Sequence, residues 1–177
     1  MKGTEIPCLN DSHISKTGKN STTHGIDFLY SYYCPLADEV WKNVLISVKF
    51  TADKYPNSPN SVFKDYYNDL VNTIECFSSS EVCSQIQQNI EYCNVVDDIG
   101  VLFWLSNKDD VDNNDIIAKI SSARIDENNR IKAIYIVDNK RVTFIGQAIS
   151  YIRTAFPDYN YDFFILILVK IILLQKK

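Results

Sequence analysis

An acid, a hydroxyl and an ammonium stand close together in the first third of the chain: Asp27, Ser47 and Lys49. In an extended run from Val44 to Phe50, side chains alternate between faces, so Val44, Ile46, Val48 and Phe50 share one face and Leu45, Ser47 and Lys49 the other. Lys49 is thereby set among apolar neighbours, where an ammonium must either snorkel to solvent at a sheet edge or meet an anion. Asp27 offers one if its strand lies alongside, and Asp53 or acids on a following helix offer more. Carboxylates hold a hard divalent cation, Mg2+ or Mn2+; the cation polarises a phosphate and activates water, and a lysine offsets the developing charge. That is the chemistry of phosphodiester hydrolysis. The same spacing also fits an ordinary surface ion pair between Asp27 and Lys49.

The elements that must position these groups are legible as pattern. Ile26 to Tyr33 and Trp41 to Thr51 are rich in β-branched and aromatic residues, and Cys34-Pro35-Leu36-Ala37-Asp38 between them turns the chain, which predicts a long hairpin. A turn centred near Ala37 sets Asp27 opposite Ser47 and brings Lys49 diagonally within reach. After the breaker segment Tyr55 to Asn60, the positions Phe63, Tyr67, Leu70, Ile74 and Phe77 recur at helical spacing. A second helix is expected from about Glu81, with Val82, Ile86, Ile90 and Cys93 as its stripe, and then a dense strand from Ile99 to Leu105. A short helix through Ile116, Ile117, Ile120 and Ala123 follows, then a strand from Ile131 to Val137. The last predicted helix carries Ile145, Ala148, Ile149, Ile152 and Phe156 and is stopped by Pro157. Strands alternating with helices make an α/β fold, a mixed β-sheet flanked by helices.

The chain of 177 residues holds one substantial core, and its net charge of −4 leaves any contact with nucleic acid to a local patch. No phosphate-cradling glycine loop is present, and the stretch from Asp110 to Asp115 lacks the turn glycine of a calcium loop. The five cysteines, with no C-x-x-C pair, read as reduced thiols, and Cys76, Cys83 and Cys93 as small apolar packing residues in helices. Residues 1–24 read as a polar arm, disordered or truncated, in which His13 and His24 are exposed; the α/β domain proper is expected over 25–177. The arm has no secretory apolar core, so a cytoplasmic location is expected. Phe163 to Leu174 is apolar but shorter than the roughly 20 residues of a spanning helix, which favours a buried strand over a membrane anchor.

The segment Gly25-Ile26-Asp27-Phe28-Leu29, followed by Val44-Leu45-Ile46-Ser47-Val48-Lys49, resembles the PD-(D/E)xK family of restriction-endonuclease-like nucleases. The resemblance implies metal-dependent cleavage of DNA, often in restriction, repair or phage defence, with Asp27 as the metal-binding aspartate and Lys49 as the catalytic lysine. Ser47 departs from the family pattern, which has Glu or Asp two residues before the lysine, and a hydroxyl cannot replace a carboxylate as a charged ligand. Some relatives read Ser-x-Lys and draw the missing acid from the following helix. That likeness points to Asp65, with Asp69 or Glu75 as weaker choices and Asp53 as a loop alternative. The implied partners are DNA and either a second copy or a partner defence subunit. The alternative is a catalytically inactive subunit of the same fold that binds a protein or nucleic acid.

Overall fold

The computed structural model describes residues 2–15, 18–108, 115–125 and 131–158. Five strands, β1 (Lys2–Pro7), β2 (Thr23–Tyr33), β3 (Val40–Thr51), β4 (Val95–Ser106) and β5 (Ala133–Val137), form one sheet in the order β1-β2-β3-β4-β5. The first two pairings are antiparallel and the last two parallel. The crossover from β3 to β4 carries α1 (Asn60–Ser78) and α2 (Glu81–Gln88), α3 (Ile116–Ile120) lies between β4 and β5, and α4 (Asn139–Ala155) follows β5. The expected mixed sheet flanked by helices is therefore the observed one.

Both faces of the sheet are covered, and unequally. The face bearing Leu29, Leu45, Leu102 and Trp104 meets the apolar stripe of α1, where Phe63, Leu70, Ile74 and Phe77 are buried. On the opposite face Val44, Val101 and Val137 meet Val142 and Ile145 of α4, a smaller cluster. A continuous apolar run such as Ile99 to Leu105 belongs in a central parallel strand buried on both sides. Gly100 lets α1 come close there: a Cβ at that position would stand 2.9 Å from Ile134 Cγ1 and 3.0 Å from both Ile74 Cδ1 and Leu70 Cδ2.

The β2–β3 hairpin has the register that its turn predicts. Phe28 pairs with Ile46 and Leu29 with Leu45, as a turn centred near Ala37 implies, and this pairing ends at Phe28, so Asp27 lies one residue beyond it. Buried Asn43 helps fix this register: its Oδ1 accepts from Ser31 Oγ at 2.7 Å and Trp41 Nε1 at 2.9 Å, and its Nδ2 donates to Asp98 Oδ1 at 2.8 Å. Helix α1 begins after Pro59 without a side-chain cap, whereas α2, α3 and α4 begin at good caps, Ser80 accepting from Cys83 N, Asp115 from Ala118 N and Asp138 from Arg141 N.

Some expectations are corrected. Residues 2–7 are not an arm but the edge strand β1, pairing Thr4 with Ile26 and Ile6 with His24. Ile6 is fully buried, and that contact with the core holds a segment whose polar composition hides it. The second helix ends at Gln88, so Ile90 and Cys93 lie beyond it, and β4 starts at Val95, earlier than its apolar run. The stretch Phe163 to Leu174 and most of the acidic stretch Asp110 to Asp115 lie outside the described residues. Among the described residues, no helix is long and apolar enough to cross a membrane.

Candidate active site and a buried cysteine and histidine cluster

Asp27 and Lys49 lie on adjacent strands, on either side of Val48. Ile26 and Leu29, three residues apart, both enter the core under α1, so the strict alternation of β2 breaks at Asp27 and Phe28. There the Asp27 carboxylate turns to β3 and accepts from the Val48 backbone N–H at 2.7 Å, as a ladder carbonyl would. Its orientation is thus set by backbone. Ser47 is buried at 5% exposure, on the face of β3 that also carries Lys49 and the core residue Leu45.

Lys49 does not pair with Asp27. Its Nζ lies 2.8 Å from Asp69 Oδ2 on α1 and 5.5 Å from the centre of the Tyr66 ring. Tyr66 and Asp69 are three residues apart, hence on one face of the helix, so α1 presents both an aromatic ring and a carboxylate to the ammonium. The lysine is 27% exposed and the aspartate 51%, so this is a solvent-facing ion pair that contributes at most about 1 kcal/mol. The other acids read from the sequence do not converge on it. Asp53 pairs with Lys108 Nζ at 2.7 Å, and Asp65 is exposed on α1 one turn before Asp69. Glu75 turns elsewhere, to His13.

A different set of side chains does converge. The ligand atoms of Cys8, His13, His24 and Cys76 all lie within 4.8 Å of one another, and among the described residues this is the one group of three or more His, Cys, Asp or Glu side chains able to share an ion. His13 Nδ1 is 3.2 Å from His24 Nε2, 3.6 Å from Cys8 Sγ and 3.5 Å from Cys76 Sγ, and the two sulfurs are 4.0 Å apart. Both histidines and Cys76 are buried. The other nitrogen of His13 faces Glu75 Oε2 at 3.1 Å, with Asn10 Nδ2 at 3.2 Å. Burial, then the neighbouring His13, lowers the His24 pKa, and burial raises that of the Cys76 thiol.

The expectation of Mg2+ or Mn2+ held by Asp27, Asp65 and Asp53 is overturned by these placements. A hard cation needs several oxygen ligands, whereas the acids are dispersed and the assembled donors are two thiols and two imidazoles, the chemistry of zinc. The sequence reading of His13 and His24 as exposed arm residues fails for the same reason that β1 was missed. Cys8 and Cys76 stand 68 residues apart, so no local spacing announces them.

A family profile described as the GAPS4 protein PD-(D/E)XK nuclease domain matches residues 1–141. The chain belongs to this family. The match takes in the β1 segment and its loop as well as the hairpin, and covers all four residues of the cluster. Comparison with curated proteins and with solved structures gives no significant match.

Proposed function

We propose that this PD-(D/E)XK domain hydrolyses phosphodiester bonds in DNA, with Asp27 and Lys49 acting on the scissile phosphate and Ser47 as a polar neighbour on the same strand. One observation carries the reading: in a chain of a nuclease family, a carboxylate fixed by the Val48 N–H stands one residue along from an ammonium held at the surface by Asp69. A carboxylate held by backbone is preoriented to align an attacking water and take up its proton. An ammonium that leaves an exposed carboxylate for a phosphate offsets the negative charge that grows on the phosphoryl oxygens. Tyr66, beside Lys49, offers a ring against which a sugar or an unpaired base can pack.

The buried Ser47 in the usual acid position, together with the Lys49–Asp69 pair, also supports a second reading, a binding subunit that holds DNA without cutting it. Cleavage and binding measured together separate the two. Full-length protein is incubated with single- and double-stranded DNA across a panel of divalent cations, beside Asp27→Asn. Under the nuclease reading the variant binds DNA normally and loses on the order of 100-fold or more in cleavage. Binding without cleavage by the native protein supports the second reading. Equal cleavage by native protein and variant removes Asp27 from the chemistry.

A further inference from the structure

We propose that Cys8, His13, His24 and Cys76 bind one structural Zn2+ that ties the N-terminal strand pair to α1. Four of the six separations between the ligand atoms are close to those the metal itself would impose, and all six are within 4.8 Å. Zinc bonds of about 2.3 Å to sulfur and about 2.0 Å to nitrogen, at the tetrahedral angle, place two nitrogens about 3.3 Å apart, a nitrogen and a sulfur about 3.5 Å apart, and two sulfurs about 3.8 Å apart. The observed distances are 3.2 Å between the imidazole nitrogens, 3.5 and 3.6 Å from His13 Nδ1 to the two sulfurs, and 4.0 Å between the sulfurs.

The surroundings have the features of a zinc site. With Nδ1 of His13 on the metal, Nε2 carries the proton and donates to Glu75 Oε2 at 3.1 Å, the carboxylate–histidine pairing that orients a metal-bound imidazole. The Leu9 backbone N–H donates to Cys76 Sγ at 3.4 Å, a bond that a thiolate strengthens. Binding is a proton exchange without redox change: each thiol gives up one proton, and the two thiolates neutralise the dication. Four protein ligands close the coordination sphere, and three of them are buried, so the site has no open position for water or substrate and its role is structural.

The ligands come from three parts of the chain that the core also joins: the segment after β1, β2 and α1. Cys8 follows β1, His13 lies in the loop after it, His24 is on β2 three residues before Asp27, and Cys76 is on α1 two turns after Asp69. The ion adds a bond network to the apolar packing between β2 and α1, the two elements that carry Asp27 and the Asp69 partner of Lys49.

The full-length protein, purified without chelator or polyhistidine tag, is assayed for metal by mass spectrometry, and metal-free protein is titrated with Zn2+ and with Co2+. The expected result is about one zinc per chain and, with Co2+, the intense visible bands of a tetrahedral site together with thiolate-to-metal charge transfer. Cys76→Ser should lose the charge-transfer intensity of one thiolate, while Glu75→Gln should keep the spectrum and bind roughly 10- to 100-fold more weakly. The cobalt spectrum of the native chain stands independently of whether the Cys76 variant folds. Folded protein that takes up no stoichiometric zinc, an octahedral cobalt spectrum, or a Cys8–Cys76 disulfide in the intact mass would overturn the assignment.

Discussion

At the scale of the residue, the sequence identifies the Asp27 and Lys49 neighbourhood but not its partners. Alternation along Val44 to Phe50 puts Lys49 on the face of Ser47, and the structure agrees. The carboxylate that meets Lys49 is Asp69, because helix α1 crosses that face and a hairpin register cannot reveal what packs above it. If Lys49 engages phosphate, Asp69→Asn should release it and tighten DNA binding up to about 5-fold, the equivalent of an exposed ion pair of about 1 kcal/mol. Binding that is unchanged at low salt would show that the lysine has no role in contact. The remaining thiols differ in a testable way. A hydrogen bond from the Leu36 backbone lowers the pKa of Cys34 in the hairpin turn, whereas burial pushes that of Cys83 up to about 11. In mildly alkaline buffer Cys34 holds more thiolate, so iodoacetamide should modify it well before Cys83, as peptide mapping of the folded protein will read.

At the scale of the element, periodicity recovers the hairpin, α1, α3, α4 and the two parallel strands, because each has an apolar pattern long enough to be unambiguous. It fails for β1, where Ile6 is the main apolar anchor among polar residues and pairing with β2 supplies the order. It fails also for the cluster, whose donors come from β2, α1, the segment after β1 and a loop, and meet only after the chain has folded. Packing between elements is tight over Gly100, where α1 and Ile134 leave no room for a side chain. Gly100→Val should cost about 1–3 kcal/mol by overpacking, measured by urea unfolding, while Gly25→Ala, with open space around its Cβ position, should cost less. Equal losses would mean that α1 does not seat on β4 as described.

At the scale of the whole molecule, the chain belongs to a PD-(D/E)XK nuclease-domain family, with the Lys49–Asp69 pair partly exposed and a cysteine and histidine cluster largely buried. Structural zinc sites supply folding free energy of about 10–16 kcal/mol in small peptides, comparable with the whole stability of a domain. Strong chelation should therefore lower the melting temperature by ten degrees or so or more, with hydrogen-exchange protection lost first in β1 and the start of β2. The same melting temperature with and without chelator would show that packing alone holds the N-terminal strands. The most direct test of the account is single-turnover cleavage of duplex DNA across divalent cations by native protein and by Lys49→Ala, both shown to be folded. The account predicts cleavage by the native chain and a loss on the order of 100-fold or more in the variant; equal cleavage by the two would contradict it.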